Sequence, residues 1–452
     1  MSTSHDTSMS ESAARTIVEQ LRSRGFEALY AGGCVRDRIL GIVPHDYDIA
    51  TSARPEQVES LFPRTIPVGA QFGVILVIEQ GSEIQVATFR GDGAYRDGRH
   101  PESIRFTDAE GDARRRDFTI NGLFYDPLKN EILDYVGGRE DLRRSLVRAI
   151  GDPQERFSED KLRILRALRF ATTLAFQIDG ETWSAVCKHT PEIHAVSAER
   201  IREELVKILI SPARVRGFDL LDESGLLREI LPEMEALKGC EQPLEFHPEG
   251  DVFVHTRLML TMLAPNAPLG LILAVLFHDL GKPATRTVDE TGRIRFNGHE
   301  GVSESISLKI LQRLRFPNEV IEAVLPAVRL HMSFKDVPKM RVSTLKRMMA
   351  RPTFEEELEL HRVDCLASHG MLDNHATLVA KRVEFAGAPL IPSPFISGHD
   401  LIAKGWKPGP RFAETLRAIQ TRQLEGTLTS REEALAWLSE HQIIPFDHLN
   451  KE

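Results

Sequence analysis

Cysteine is scarce in this chain: four residues in 452 (Cys34, Cys187, Cys240 and Cys365), far apart and without a CxxC pair. That spacing excludes a disulfide framework and a thiolate zinc site, and it predicts a reducing, cytoplasmic setting. Long apolar runs are missing too; no stretch approaches the ~18 residues a membrane span needs. Positive charge is not in excess. The 57 Lys and Arg against 66 Asp and Glu leave a formal net charge of -9, which speaks against a general polyanion binder. There is no internal repeat and no long low-complexity segment. The opening MSTSHDTSMSES is polar, with no apolar stretch behind a basic one, and predicts a disordered tail rather than a targeting signal.

What is present is an ordinary globular composition, 42% hydrophobic and 27% charged, over a length that calls for several domains. Residues 11–24 carry Ala14, Ile17, Val18 and Leu21 at helical spacing, and Gly25 closes that helix. Glu27 to Tyr30 reads as a short strand running into Ala31-Gly32-Gly33, followed by a helical turn over Val35 to Leu40. His45 to Ile49 reads as a second strand. Gly73 to Ile78 and Glu83 to Phe89 read as a hairpin turning at Gly81-Ser82, and Ile132 to Tyr135 as an edge strand. From about Gly151 long helical patterns dominate. Loops rich in Pro or Gly fall at 237–251, 386–398 and 404–411. An arginine-rich stretch between Arg139 and Arg169 is interleaved with acids. By charge alone it fits a solvated helix face as well as an anion-binding one, since attraction fades over about 8 Å at physiological salt.

Two small patterns carry chemistry. Joining a nucleotide to a hydroxyl requires backbone to approach a triphosphate closely, which side chains obstruct; Gly32-Gly33 between strand and helix meets that need. It also requires carboxylates to hold divalent ions. Asp46 and Asp48, one residue apart on an expected strand, would emerge on the same face, as a two-ion phosphoryl-transfer centre needs. A Gly-Gly is usually a turn, and an acidic pair is usually a solvated strand. Together with Arg36-Asp37 and Thr51 they form one unit.

GGCVRDRIL and DYDIATSA, so placed, resemble the opening of the class II tRNA nucleotidyltransferase and bacterial poly(A) polymerase family, within the DNA polymerase beta superfamily. ATFRGDGAYRDGRHP (87–101), RRRDFTINGLFYDP (114–127), DYVGG (134–138), RFSEDKLRILRALRFA (156–171) and SAERIREEL (197–205) are similar to that family's later blocks, in order over roughly 28–235. The resemblance implies Mg2+ on Asp46 and Asp48, with Gly32, Gly33 and Arg36 near the triphosphate and Asp37 bracing the loop. It assigns Arg115, Arg116 and Asp117 to the ribose and its placement; a guanidinium fork suits phosphate and sugar oxygens, and a carboxylate accepts from ribose hydroxyls. Thr119 and Asn121 would stabilise the loop backbone. Asp160 and Arg163, three apart on an expected helix, would read a base edge together, with Arg166 continuing that face toward phosphate or primer. One departure is visible: family members often carry an acid before the TFR block, where this chain has Gln85, with Glu83 two residues earlier.

A second pattern lies in 252–370, where His278-Asp279-Leu-Gly-Lys282 follows the apolar LGLILAVLF. His255, His278, Asp279 and Asp364 together resemble the metal set of the HD-domain phosphohydrolase superfamily, and His299 and His331 stand where some members place ligands for a second ion. A divalent metal of unspecified identity is implied. Relatives with this appendix suggest phosphatase or 2′,3′-cyclic phosphodiesterase activity.

The fold class that follows is α+β: a small mixed-sheet nucleotidyltransferase head, an all-helical neck and body, and a helical HD domain. The expected bounds are a tail and first helix (1–25), head (26–150), helical neck (151–236), HD domain (237–385) and helical tail (386–452). The expected function is addition of CCA to tRNA 3′ ends from CTP and ATP, with no membrane partner and the oligomeric state left open. Partial addition (CC or A), or poly(A) synthesis, is the neighbouring reading, though the terminal segment lacks the strongly basic character of those polymerases. An HD phosphohydrolase using the head only to bind RNA, or a non-catalytic RNA-binding module, is the reading from another class.

Overall fold

The computed structural model describes residues 3–69, 73–93 and 104–440. Residues 94–101 of the ATFRGDGAYRDGRHP block and residues 441–452 of the expected tail lie outside the described residues. The described chain divides into two compact units. The first is residues 1–235 with short segments 264–267 and 310–316; the second is residues 236–263, 268–309 and 317–452.

The first unit begins with α1 (Thr3–Ser23), so the polar opening expected as a disordered tail is helical from Thr3 onward. Ala13, Ala14, Ile17, Val18 and Leu21 are fully buried, the one-faced spacing of a helix laid on a sheet. The sheet contains β1 (Ala28–Ala31), β2 (Asp48–Thr51), β3 (Thr65–Gly69), β4 (Val74–Glu79) and β5 (Ser82–Thr88). A separate antiparallel ribbon pairs β6 (Arg90–Asp92) with β7 (Ile104–Phe106), and β8 (Leu123–Asp126) and β9 (Glu131–Asp134) complete the sheet. The order is β3-β4-β5-β2-β1-β8-β9, antiparallel except for the parallel pair β2–β5. The central β1, sequence ALYA, is buried at every position, whereas β5 alternates, burying Ile84, Val86 and Thr88 and exposing Glu83 and Gln85.

The expected hairpin and the β9 edge strand are present, but the strand expected at His45 to Ile49 starts at Asp48, leaving Asp46 in the preceding loop. Short helices α2 (Gly33–Ile39), α3 (Pro55–Leu61), α4 (Ala109–Arg114) and α5 (Gly138–Arg143) connect the strands. Then β10 (Leu146–Val147) pairs in parallel with β11 (Gln177–Ile178), and helices take over: α6 (Pro153–Glu159), α7 (Leu162–Thr173), α8 (Gly180–His189), α9 (Ala198–Leu209), α10 (Arg214–Glu223) and α11 (Leu226–Ile230).

The second unit is built around α13 (Leu269–Phe277), which follows α12 (Val252–Met262). Its sequence LGLILAVLF is apolar all round, and residues 271–277 are all buried. A helix with no polar face must be enclosed. It packs against α12 and, after α14 (Lys282–Thr285), the ribbon β12 (Thr287–Val288) with β13 (Ile294–Arg295) and α15 (His299–Arg313), against α16 (Asn318–Leu330) and, past α17 (Val342–Met349), α18 (Phe354–Ala367). Helices α19 (Asp373–Phe385), α20 (Gly398–Ala403), α21 (Pro410–Leu424) and α22 (Arg431–Glu440) complete it, the last three around Ile396, Leu401, Trp406, Ile419 and Leu428. Among the described residues no helix is long and apolar enough to cross a membrane.

Candidate active sites

In the first unit a cavity of about 500 Å³ opens at the Asp48 end of β2. Seven arginines (Arg36, Arg115, Arg116, Arg163, Arg166, Arg169, Arg200) and three aspartates (Asp48, Asp117, Asp160) line it, together with Gly32, Gly33, Asn121, Leu162 and Phe170. Of the residues expected in this site, Asp46 alone is not in the wall; it is exposed on the loop before β2. Asp48 reaches solvent yet sits low in the cavity. Burial raises its pKa, Arg116 opposes the rise, and the Asp46 charge adds to it. A carboxylate whose ionisation is opposed by burial and a neighbouring carboxylate is the kind of donor a divalent cation relieves. Directly beside Asp48 in the parallel register stands Gln85, the amide noted in the sequence as a departure from the acid expected there.

The turn at Gly32 has a structural reason. Its φ is +73°, and a Cβ there would lie 2.9 Å from Arg116 Nη1. Arg116 is thereby free to lie across the Phe124 ring, 4.9 Å from its centroid, while Phe124 packs edge-on to Phe89 in the core beneath. The guanidiniums are held by acids that sequence reasoning passed over. Buried Asp112, on α4, accepts from Arg115 Nε at 2.9 Å and from Arg116 Nε and Nη2 at 3.1 and 2.9 Å. Burial works against its charge, but the two arginines prevail and hold its pKa low. Its spacing of three and four residues before the pair is a helical signal that was legible.

Asp117 accepts from Arg166 Nε at 2.8 Å and Nη2 at 2.5 Å, from Phe118 N at 2.8 Å and from Asn121 Nδ2 at 3.2 Å. Burial alone would raise its pKa; Arg166 and the backbone donor bring it down to about 2. Asn121 Oδ1 in turn accepts from Arg36 Nη1 at 2.8 Å, and Asp37 from Arg36 Nε at 2.8 Å. Asn121 thus joins two site residues through its side chain, while Thr119 donates to Asp141 at 2.7 Å. Phe170 supports this floor: the guanidiniums of Arg36, Arg166 and Arg169 lie 5.3, 5.4 and 4.0 Å from its ring centroid.

Asp160 and Arg163 both line the cavity, but not as a pair on one helix. Asp160 is extended (φ -136°, ψ 107°) between α6 and α7, because its carboxylate accepts from the Leu162 backbone N–H at 3.0 Å, as a cap does. Arg200 of α9 also donates to it, Nη2 to Oδ2 at 3.1 Å. Arg163 donates to Glu159 Oε2 at 2.6 Å, to Arg156 O at 3.1 Å and to Arg115 O at 3.0 Å. Arg200 stands in the SAERIREEL block, whose likeness carried no role for it.

In the second unit the expected ligands converge in the core. His255 comes from α12, His278 and Asp279 from the end of α13, and Asp364 from α18. His278 Nε2 lies 3.0 Å from Asp279 Oδ2, and His255 Nε2 lies 3.1 Å from Asp364 Oδ1. His299 and His331 join them: both Nε2 atoms face Asp279 Oδ1, at 3.2 and 3.8 Å. The ring nitrogens turned away are all engaged. Nδ1 of His278, His299 and His331 meets the carbonyls of Val275, Phe296 and Val328 at 2.9, 2.8 and 2.7 Å, and Nδ1 of His255 meets Glu249 Oε1 at 2.6 Å. A carbonyl or carboxylate oxygen accepts, so Nδ1 carries a proton and Nε2 is the nitrogen turned inward.

The Nε2 atoms of His299 and His331 are 3.0 Å apart, a separation two lone pairs tolerate only with a proton or a metal between them. His255 Nε2, His278 Nε2 and Asp279 Oδ1 are buried and make no hydrogen bond, while Asp279 Oδ2 has the Lys282 ammonium 2.6 Å away. Such atoms are costly unless a cation completes them. His255-His278-Asp279 and Asp279-His299-His331 each bring three ligand atoms within 4.8 Å. Gly281 makes the turn after Asp279, where a Cβ would run into the His299 carbonyl. The centre opens on a cavity of about 610 Å³ whose walls include Lys282, Arg293, Arg295, Lys335, Phe246 and Phe296.

Comparison with known proteins follows the same division. Residues 28–148 match the poly A polymerase head domain, 175–238 the probable RNA- and SrmB-binding site of polymerase A, and 252–368 the HD domain. The chain is 43% identical over 211 residues to a CCA-adding enzyme of Geobacillus stearothermophilus, covering 46% of this chain and 52% of that one. It is 41% identical over 233 residues to one of Streptococcus gordonii, covering 51% and 57%. The chain thus spans about half the length of the curated relatives it matches. Among solved structures, the Bacillus stearothermophilus CCA-adding enzyme in complex with CTP superposes with a TM-score of 0.71 at 28% identity, covering 95% of this chain and 97% of that one. The Thermotoga maritima CCA-adding enzyme complexed with tRNA shares the fold, with a TM-score of 0.60 at 19% identity and coverage of 96% and 98%.

Proposed function

We propose, taking as premise that this chain carries the head domain of the poly A polymerase family, that it is a template-independent tRNA nucleotidyltransferase adding CCA from CTP and ATP. The observation that carries the reading is the arginine-walled cavity closing on Asp48, with Asp160 and Arg163 at its rim. Similarity to CCA-adding enzymes over the head and neck supports the choice of acceptor and nucleotides.

The reaction is in-line attack of the RNA terminal hydroxyl on the α-phosphate: an O–P bond forms, the α–β anhydride breaks and pyrophosphate leaves. Asp46 and Asp48 would hold Mg2+, which when bound neutralises the transferring phosphoryl and lowers the barrier to attack. Gly32 and Gly33 let backbone approach the triphosphate, and Arg36 and Arg166, fixed by Asn121 and Asp117, offer rigid forks to its oxygens. Arg115 and Arg116, clamped by Asp112, and Asp117 position the ribose end. Asp160 accepts from, and Arg163 donates to, a base edge, which selects C and A without a template. Catalysis is then chiefly positioning plus neutralisation of charge. The domain bounds 26–150, 151–236, 237–385 and 386–452 belong to this proposal.

The buried His/Asp centre supports a second activity. His255, His278, Asp279 and Asp364 would hold one divalent ion, and His299 and His331 fit a second beside Asp279. The chemistry such an ion would supply when bound is activation of water for attack on a phosphate ester. Lys282, Arg293, Arg295 and Lys335 then receive the anion, and the cavity is large enough for a nucleotide-sized RNA end.

The test uses tRNAs ending at the discriminator base, after the first C and after the second C, each given CTP, ATP or both with Mg2+. Completion of CCA from every start is expected. Incorporation of C alone or A alone selects a partial enzyme, long A tracts select a poly(A) polymerase, and no incorporation in any lane overturns the reading.

A further inference from the structure

The loop before α12 reads GCEQPLEFHPEGD (239–251), a segment that by composition is only a Pro- and Gly-rich connection. In the structure it lies against the His/Asp centre. Gln242 Oε1 accepts from Lys282 Nζ at 2.7 Å, and Lys282 in turn is 2.6 Å from Asp279 Oδ2. Glu249 Oε1 accepts from two rings at once: Nδ1 of His255 at 2.6 Å and Nδ1 of His247 at 2.9 Å. The two imidazoles meet edge to face, centroids 5.0 Å apart, so one carboxylate oxygen sets the orientation of both. His255 is fully enclosed, the Glu249 side chain is 8% exposed, and Glu249 Oε2 is buried with no hydrogen bond. A fold that needed only to tie down the loop would not leave a charged oxygen so.

We propose that Glu249 is a positioning residue for the metal centre. By accepting the His255 Nδ1 proton it commits the Nε2 lone pair to the ion, and its negative charge raises the basicity of that ligand. His278, His299 and His331 are oriented by backbone carbonyls, which are neutral. His255 therefore becomes the most strongly donating imidazole of the set, and the ion bound between it and Asp364 the tightest held. His247 shares the oxygen and keeps Glu249 from turning away. The inference rests on the reading of this centre as a divalent-metal site; it adds a residue that touches no metal, on a loop outside the helices that carry the ligands. Carboxylates that orient a ligating histidine in this manner contribute about 10–100-fold to metal affinity.

The experiment is Co2+ titration of the metal-stripped full-length protein, followed by calorimetry and by the visible d–d absorption of the bound ion. Wild type, Glu249→Ala and Glu249→Gln are compared, with thermal melting of each metal-free form alongside. The alanine variant is expected to bind Co2+ about 10–100-fold more weakly, with a changed spectrum and a melting temperature close to that of metal-free wild type. The near-isosteric glutamine variant keeps an acceptor oxygen but not the charge, and a loss of about three- to tenfold is expected. Alanine binding with wild-type affinity and spectrum overturns the proposal. Should alanine not fold, glutamine affinity within a factor of two of wild type overturns it instead. If wild type itself binds no Co2+, the metal reading of the centre falls, and this proposal with it.

Discussion

The two candidate sites are built on opposite principles. In the head cavity the charged side chains are mostly satisfied by one another: Arg115 and Arg116 with the buried Asp112, Asp117 with Arg166, Asp160 with Arg200. In the His/Asp centre the polar atoms are buried, and several of the most deeply placed have no hydrogen bond. The first arrangement suits a large anion that brings its own counter-ions. The second suits a small cation. Arginine suits the former because its fork is rigid and always charged; imidazole suits the latter because one nitrogen can be fixed by a carbonyl while the other donates a lone pair.

That contrast predicts different responses to chelation. Stripping divalent ions should abolish both activities. Nucleotide addition should return at once with millimolar Mg2+, since Asp46 and Asp48 are both exposed. The buried centre should hold its metal through gel filtration and, once stripped, recover only with a transition metal, as nitrogen ligands favour such ions over Mg2+. Metal analysis before and after chelation checks this; hydrolysis restored by Mg2+ alone would erase the distinction.

A smaller effect is expected at the cavity rim. Asp160→Ala should relax discrimination against UTP and GTP by about 10–100-fold, the 1–3 kcal/mol a paired base contact supplies. Arg200→Ala should relax it less, because Arg200 only orients Asp160. Single-nucleotide incorporation kinetics separate the two; unchanged selectivity in Asp160→Ala would remove it from base reading.

The last effect concerns stability rather than activity. Asp117 has its pKa depressed to about 2 in the fold, against about 3.9 when unfolded. Its contribution is therefore present above pH ~4 and lost as pH falls from about 4 toward 2. Asp117→Asn, which leaves Arg166 unpaired, should cost on the order of 2–3 kcal/mol at pH 7, below the usual buried-pair value because a third of Arg166 is exposed. The melting difference from wild type should narrow as pH approaches 2. A difference that stayed constant with pH would show that the charge is not what the variant loses.

Much of this was legible in the sequence. The strand, Gly-Gly turn and DxD order identify the head because strand alternation and glycine conformation are local properties. LGLILAVLF announces a buried helix for the same kind of reason. What was not legible depends on three-dimensional partners. Asp160 left its expected helix because its carboxylate caps the next one. Asp46 fell outside the strand because β2 begins where pairing with Gln85 becomes available. Arg200, Glu249 and His247 lie far along the chain from one or more of the groups they serve, or in a segment whose composition says only loop. The helical start of α1 was hidden because Ser, Thr and Asp residues are poor helix formers, and among the residues whose burial is described the buried stripe of the helix begins at Ala13.

The most direct measurement of whether the two centres are separate assays both reactions on three proteins: wild type, Asp48→Ala and Asp279→Ala. Incorporation of C and A into truncated tRNA is measured beside hydrolysis of a 2′,3′-cyclic nucleotide. A crossover is expected: Asp48→Ala loses incorporation by at least about a thousandfold, on the scale of removing a main transition-state stabiliser, and keeps hydrolysis. Asp279→Ala does the reverse. Loss of both activities in either folded variant would contradict it.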